Sequence, residues 1–355
     1  MPDVPGYRCE KVIARGGFGV LLAAHPRSAD GTEGERIALK LARPGIALAE
    51  AQLAREAEAL RVIGPPTVPA LHAVGTLPGG QRFVAMEYVP LPTLADWLAR
   101  VSGPMSPQEF GPRANALLEA VAVVHAHGLV HCDLKPEHVF LDDAHKRARV
   151  FDFGLVQRPT PGVLADDGTP GDTSSFAGTA EYMAPEQCAG HAVLDARTDV
   201  YALGVILYEL IAGRPPFFGS LTEVLQAHLS LRPPPPSEYA PVAPPVEEVV
   251  LRCLAKEPAR RPRDAAAVAQ ALRAALDHAG QSAVQPAPRL TLLPEVRPAQ
   301  TRRSVAVLFT CSRANPVAMQ KALAAYGGHM AFAEGERFAG VFDPDVGENP
   351  ARRAI

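Results

Sequence analysis

The chain has no cysteine pair at metal-binding or redox spacing. Its five cysteines, Cys9, Cys132, Cys188, Cys253 and Cys311, are odd in number and widely scattered. That argues against a disulfide framework or a cysteine-based zinc site and for a reducing compartment. An excess of one charge sign is also missing. A formal net charge of −3 gives no basic field for nucleic acid or an anionic membrane. No apolar run is long enough to cross a bilayer: the most apolar helix-like stretch, Val200 to Ala212, contains Glu209 and is shorter than the ~20 residues a span needs. The opening "MPDVPGYRCE" lacks the basic-then-apolar pattern of a signal peptide. No internal repeat is visible. The expectation is a cytoplasmic protein with no nucleic-acid partner and no membrane span.

What is present is enough for real cores. The sequence has 355 residues, 47% of them hydrophobic and 21% charged, which suits two domains or one large domain and a piece of another. From Tyr7 to Leu41 short strand-like runs are broken by glycines. "ALAEAQLAREAEALRVI", Ala47 to Ile63, is rich in Ala, Leu and Glu and predicts a helix. Gln81 to Tyr88 predicts a strand. Helices are then expected at Glu109–His127, Thr198–Ala212, Leu221–Leu229, Val246–Lys256 and Asp264–Ala279. A strand-rich start followed by a helical remainder gives an α+β class with two unequal lobes. "RPPPPSEYAP", from Arg232, reads as a stiff loop between helices rather than a polyproline ligand. After Ala279 the composition shifts to Pro, Gln and Ala without period, which reads as a linker.

Several pieces carry chemistry. In "IARGGFGVLL", Gly16, Gly17 and Gly19 would let backbone approach an anion closely. "IALK" places Lys40 at the end of an otherwise apolar strand, and Glu56 sits within the predicted helix. His131, Asp133 and Lys135 share one short loop. After the strand "ARVF" comes "DFG", Asp152 to Gly154. Two carboxylates on neighbouring strand ends suit divalent metal and proton handling. Each piece alone is weak, but their order and spacing together are not accidental.

With these motifs, residues 7 to 280 resemble the eukaryotic-type (Hanks-type) protein Ser/Thr kinases of bacteria. The resemblance implies a two-lobed kinase domain over 1–280, with a β-rich N-lobe to about residue 89 and a helical C-lobe from about 90. It implies transfer of the γ-phosphoryl of ATP to protein Ser/Thr hydroxyls, with Mg²⁺. Lys40 matches the phosphate-binding lysine and Glu56 its helix partner. Asp133 matches the catalytic aspartate, Lys135 the lysine that reaches the γ-phosphate, and Asp152 the metal aspartate. Ile13, Gly16, Gly17, Gly19, Leu21 and Ala38 would enclose the nucleotide. In "VAMEYV" Met86 would be the gatekeeper, and the backbones of Glu87 and Val89 would bind adenine. "GTAEYMAPEQ" matches the end of the activation segment, with Thr179 in the part that receives the substrate. "CLAKEPARRP" would bring Arg261 to Glu186. Leu155 to Phe176 is expected to be mobile and to carry any autophosphorylation, which would involve self-association. The protein substrates are not named by the sequence.

Three departures stand out in this resemblance. Ala14 replaces the first loop glycine, a modest loss at most. Cys132 replaces the arginine that docks a phosphorylated activation loop, which points to other control or to constitutive activity. His138 replaces the asparagine of the second metal. Nδ1 of histidine branches at the depth of the asparagine oxygen and could take its place, as a softer ligand that favours Mn²⁺ over Mg²⁺. With a reference pKa near 6.5, proton and metal would then compete. Alternatively His138 only fills space. If it does, the chain could use one metal, or be a nucleotide-binding pseudokinase.

Residues 281–301 form the expected linker. In 302–355 the strand "VAVLF", the hairpin-like "YGGHMAFAEGE", the "GVF" strand and "ENPARRAI" resemble the opening of a nucleotide cyclase homology domain. Cys311 and Glu336 stand where that family has metal-binding aspartates. This implies a partial, degenerate α/β cyclase-like segment and a fragment of a longer protein; a signalling role acting through this tail is the third reading.

Overall fold

The computed structural model describes residues 4–28, 30–101, 103–143, 146–157, 180–190, 194–281, 306–311, 320, 328–334 and 337–342. Strands β1 (Tyr7–Gly16), β2 (Gly19–Pro26), β3 (Ile37–Ala42), β4 (Leu71–Thr76) and β5 (Arg82–Glu87) form one antiparallel sheet in the order β1-β2-β3-β5-β4. Helix α1 (Ala47–Ile63) packs on it through Leu53, Ala57 and Leu60. The expected helix and the observed one coincide, because "ALAEAQLAREAEALRVI" has no breaker before Gly64. That glycine takes φ 69° and ends the helix by donating to the Leu60 carbonyl.

The second lobe is helical. It contains α2 (Leu94–Arg100), α3 (Pro107–Ala126), α4 (Pro185–Cys188), α5 (Ala196–Ala212), α6 (Leu221–Ser230), α7 (Pro244–Cys253) and α8 (Ala265–Gln281). A two-stranded ribbon, β6 (Val139–Asp142) with β7 (Arg147–Val150), lies between α3 and α4 in sequence. Helix α5 is its axis: every residue from Thr198 to Ala212 is buried, as expected of a helix apolar on all sides. Asp195 caps it by accepting the Arg197 N–H at 2.8 Å. Gly204 lets α5 approach α7, since a Cβ there would lie 2.7 Å from the Cys253 Cβ.

The expected C-lobe helices appear within about two residues of their predicted ends, apart from the C-terminus of α7, which stops at Cys253 rather than Lys256. Helix α2 was not expected. Its signal is the Thr93/Asp96 capping box, in which Thr93 Oγ1 accepts from the Asp96 N–H at 3.0 Å and Asp96 accepts from Thr93 N–H at 2.9 Å. The stretch Pro233–Pro235 carries no regular element between α6 and a short 3₁₀ turn at Pro236–Glu238. Past α8, β8 (Ala306–Cys311), β9 (Gly328–Glu334) and β10 (Arg337–Phe342) form an antiparallel sheet in the order β8-β10-β9. No described helix is long and apolar enough to cross a membrane.

Candidate active site

Between the two lobes lies a cleft of about 560 Å³. Ile13, Gly16, Gly17, Gly19, Leu21 and Ala38 line it from the sheet. Lys40, Glu56, Met86, Glu87, Val89, His138 and Asp152 line it as well. Asp133 and Lys135 stand beside it, in contact with His138 and each other. The β1–β2 turn leaves no room for a side chain at Gly19: a Cβ would lie 2.1 Å from the Leu41 carbonyl oxygen. Ala14 pairs with Leu21 inside the strands and needs no glycine conformation.

Lys40 projects from β3 into an acidic pair. Its Nζ lies 2.6 Å from Glu56 Oε2 and 2.9 Å from Asp152 Oδ1. Burial alone would lower the lysine, but the charges of Asp152 and Glu56 and their hydrogen bonds outweigh it and hold Lys40 above its ordinary value. Glu56 is buried from water and pushed up to about 7, with Lys40 opposing and Asp152 adding to the shift. Burial also works to raise Asp152, yet Lys40 and then His138 pull it well below the usual carboxylate range.

The catalytic-type loop is fixed from below by Asp199 of α5. That carboxylate accepts the N–H of His131 at 2.7 Å and of Cys132 at 2.9 Å, and binds His125 Nε2 at 2.9 Å. Gln187 Nε2 donates to the Cys132 carbonyl at 2.7 Å. These bonds hold Cys132 at φ 64° and Asp152 stands nearby at φ 65°, both in the left-handed region that side chains avoid. His131, kept neutral by burial, has Nε2 3.0 Å from the Phe151 carbonyl, which can only accept, so Nε2 carries the proton. Burial pushes Asp133 up to about 7 against the pull of Lys135, 3.5 Å away.

His138 differs from the sequence expectation in two respects. Its Nδ1 lies 2.8 Å from the backbone carbonyl of Asp133. A carbonyl only accepts, so Nδ1 carries the proton and cannot be a ligand. Nε2 then holds the free lone pair, 3.4 Å from Asp152 Oδ2. Burial drives His138 down to about 3, so the proton competition expected near pH 6.5 is absent. Two electron-rich atoms facing each other at 3.4 Å suit a cation between them, and this donor set fits a divalent metal. Among the described residues no group of three such ligands converges, so water and substrate oxygens would complete the shell.

Other residues were missed. Arg149 of β7 forks onto the Glu87 carboxylate at 2.7 and 2.5 Å and donates to the Val68 carbonyl at 2.9 Å. Glu87 also accepts the Ala70 N–H at 3.0 Å and gives its own N–H to the Ala70 carbonyl at 2.8 Å. Of the two Glu87 backbone groups, only the carbonyl is therefore left for a ligand. Asp199 is marked locally only as a carboxylate in a buried helix and Arg149 only as a charge in a short strand, and nothing local names their partners. The pair of Arg261 with Glu186 is formed, at 2.8 and 2.9 Å, fully buried on the arginine side. Residues 158–179, which include Thr179 and most of the expected activation segment, lie outside the described residues.

This arrangement, a two-lobed cleft with a lysine–carboxylate pair, a metal-type aspartate and a buried aspartate beside it, is of the kind that suits phosphate and divalent-metal handling. The model of the family "Protein kinase domain" matches residues 7–274. Pkn3, a serine/threonine-protein kinase of Myxococcus xanthus, is 34% identical over 279 residues, 76% of this chain and 49% of its own length. The PknB serine/threonine-protein kinase of Mycolicibacterium smegmatis is 37% identical over 218 residues, 60% of this chain and 34% of its own. The crystal structure of the Mycobacterium tuberculosis PknI kinase domain, in a point-mutant form, superposes with a TM-score of 0.56 at 25% identity, covering 76% of this chain and 96% of that one. The chain belongs to the protein kinase family. It spans about half or less of the length of these curated relatives.

Proposed function

We propose that the chain is an ATP-dependent protein serine/threonine kinase that uses two divalent metal ions. The observation that carries this reading is the closed Lys40–Glu56 pair at 2.6 Å with Asp152 on the same ammonium. Phosphoryl transfer needs positioning and charge neutralisation more than covalent chemistry. In this reading Lys40 binds the α/β-phosphates and Asp152 holds the first metal. His138 presents Nε2 to the second. When bound, the metals neutralise phosphate charge. Asp133 orients the acceptor hydroxyl and takes its proton, and Lys135 reaches the γ-phosphate. Ile13, Leu21, Ala38 and Met86 sandwich the base, with the Glu87 carbonyl and the Val89 backbone at its edge. Gly16, Gly17 and Gly19 cover the phosphates.

The imidazole nitrogen supports a preference for Mn²⁺ over Mg²⁺. The pseudokinase reading is disfavoured by the same residues: every charged group that transfer needs stands in contact with another of the set. We also propose that 302–355 has a cyclase-like fold without cyclase activity. Supporting this are the β8-β10-β9 order and the loss of aspartate at Cys311 and Glu336. The test of the main proposal is transfer of labelled phosphate from ATP to the chain itself and to a generic acceptor protein. Transfer by the parent and its loss in Asp133→Asn are expected. No transfer by the parent in either Mg²⁺ or Mn²⁺ would overturn the kinase reading.

A further inference from the structure

The end of β5 is tied to the second lobe by a side chain far from it in sequence. Arg149 of β7 forks onto the Glu87 carboxylate, Nη1 to Oε1 at 2.7 Å and Nη2 to Oε2 at 2.5 Å. Nη2 also donates to the Val68 carbonyl at 2.9 Å, in the loop between α1 and β4. Glu87 Oε2 accepts the Ala70 N–H of the same loop at 3.0 Å. The Arg149 side chain is 15% exposed and that of Glu87 33%, so solvent screens the pair only in part. Arg149 is the first cause that holds the Glu87 carboxylate below its ordinary value, with burial opposing and the Ala70 N–H assisting. One planar guanidinium serves two carboxylate oxygens and a carbonyl here, which an ammonium on a flexible stem does not do in one fixed geometry.

The face on which Arg149 stands gives the fork a use. Arg149 pairs with Phe140 of β6, and the ladder runs one step past β7, where the Phe151 N–H donates to the His138 carbonyl at 3.1 Å. Side chains alternate along a strand, so Arg149, its partner Phe140 and Phe151 share one face of the ribbon. The two rings stack with centroids 4.2 Å apart and planes 18° from parallel. Both rings and Glu87 line the cleft, whereas Arg149 does not. The Glu87 N–H is spent on the Ala70 carbonyl at 2.8 Å. Its carbonyl is thus the backbone group open to a ligand, and the fork fixes that residue to the ribbon that carries the rings.

We infer that Arg149 is a positioning residue for the nucleotide base: through Glu87 it holds the carbonyl at the base edge in register with the Phe140–Phe151 stack against which the base lies. This rests on the kinase reading, which places a purine in the cleft. The phosphates are held elsewhere, by Lys40 and the metal-type residues Asp152 and His138, whose contacts with one another include neither Arg149 nor Glu87. Loosening the fork therefore costs affinity for the base and spares affinity for the phosphates.

The experiment compares the parent with Arg149→Met, Glu87→Gln and the double variant. Calorimetry reads the Kd for ATP and for inorganic tripolyphosphate, each with Mn²⁺ present. Arg149→Met should weaken ATP binding at least about fivefold, a scale ordinary for partners in one hydrogen-bonded network, with tripolyphosphate binding within about twofold of the parent. Glu87→Gln keeps the shape and an acceptor for the Ala70 N–H while removing the charge. It should show the same selective loss to a smaller degree, and it decides the matter by the same ratio if Arg149→Met does not fold. The double variant should lose no more than Arg149→Met alone, because both substitutions break one fork. Unchanged ATP binding in the single variants would overturn the inference. Equal losses for ATP and tripolyphosphate would make the fork merely structural and overturn it too, as would losses that add in the double variant or a parent that binds ATP no more tightly than tripolyphosphate. A parent that binds ATP with this dependence on Arg149 yet transfers no phosphate would sink the kinase reading and leave the positioning of the base standing.

Discussion

The proton on His138 Nδ1 is committed to the Asp133 backbone carbonyl 2.8 Å away, and this turns the other ring nitrogen toward Asp152. An asparagine carries a donor and an acceptor on one short side chain. A neutral histidine protonated on Nδ1 also carries one of each, with the acceptor one bond further out. The substitution in "HCDLKPEH" thus keeps the bond that ties the loop together and changes only the atom offered to a metal, from hard oxygen to softer nitrogen.

Mn²⁺-supported transfer should therefore exceed Mg²⁺-supported transfer in the parent, and His138→Asn should restore Mg²⁺ use. His138→Ala should lose about 10–100-fold in apparent metal affinity. Because burial holds His138 down to about 3, the ring stays neutral, with its one proton on Nδ1, from pH 6 to 9 and the Mn²⁺ advantage should stay flat there. Steady-state rates with each metal across that range check it. Parent-like activity of the alanine variant in both metals would show that His138 only fills space.

Lys40→Met and Asp152→Ala should each lower turnover by ~100- to 1,000-fold or more, the scale for losing one preorganised charge in a transfer site. Both should stay folded. Removing Lys40 leaves Glu56 buried, but Glu56 is already pushed up to about 7 and can take a proton rather than remain an unpaired charge. Circular dichroism melts beside the activity assay separate the two effects. Wild-type-like turnover in either variant would contradict the assigned roles.

Much of this site was legible in the sequence, because the chemistry fixes residue types at short spacings. "IALK", "HCDLK" and "DFG" each combine charges with apolar strand or loop partners that leave little choice of placement. The N-lobe helix was legible because its propensity is uniform. Arg149 and Asp199 were not, since their partners Glu87 and the His131–Cys132 backbone lie far away in the chain, and no local period reports such a pairing. The His138 ring was misread for the same reason: which nitrogen is free depends on a carbonyl in the folded loop, not on the length of the side chain.

The buried Arg261–Glu186 pair should be costly to break on one side. Arg261 also donates to the carbonyls of Ala255, Arg197 and Lys256. Arg261→Ala should destabilise by about 3–5 kcal/mol, because it strands a buried carboxylate and three carbonyls. Urea unfolding measures this, and a loss under ~1 kcal/mol would mean that water replaces the guanidinium.

The acid limb of kcat/KM should fall near pH 7. Asp133 must be ionised to take a proton, and burial raises it to about 7, so activity is present above that pH and is lost as pH falls through it. Lys135 holds the value down, so Lys135→Met should move the limb to higher pH as well as slow the reaction. A pH profile taken with saturating metal tests the sign, and a limb that stays at pH 4 would show that Asp133 is not the titrating base.

Activity should not depend on phosphate in the segment before Thr179. Cys132 occupies the position where an arginine would dock such a phosphate, and it is buried with Val130, Leu194 and Leu155. Burial pushes its thiol well above the ordinary range, so it offers an apolar contact and no charge. Leu155, three residues past Asp152, is thus held to the loop by packing. Replacing Thr160, Thr169, Thr173, Ser174 and Ser175 together by alanine should leave at least about half of the turnover, since packing of this kind needs no charge to form. Treatment of the parent with a phosphatase should have equally little effect. A collapse to background in either case would mean that another cation does the docking, and Arg55, whose Nη1 reaches the Gly154 carbonyl at 3.4 Å, would be the first to replace.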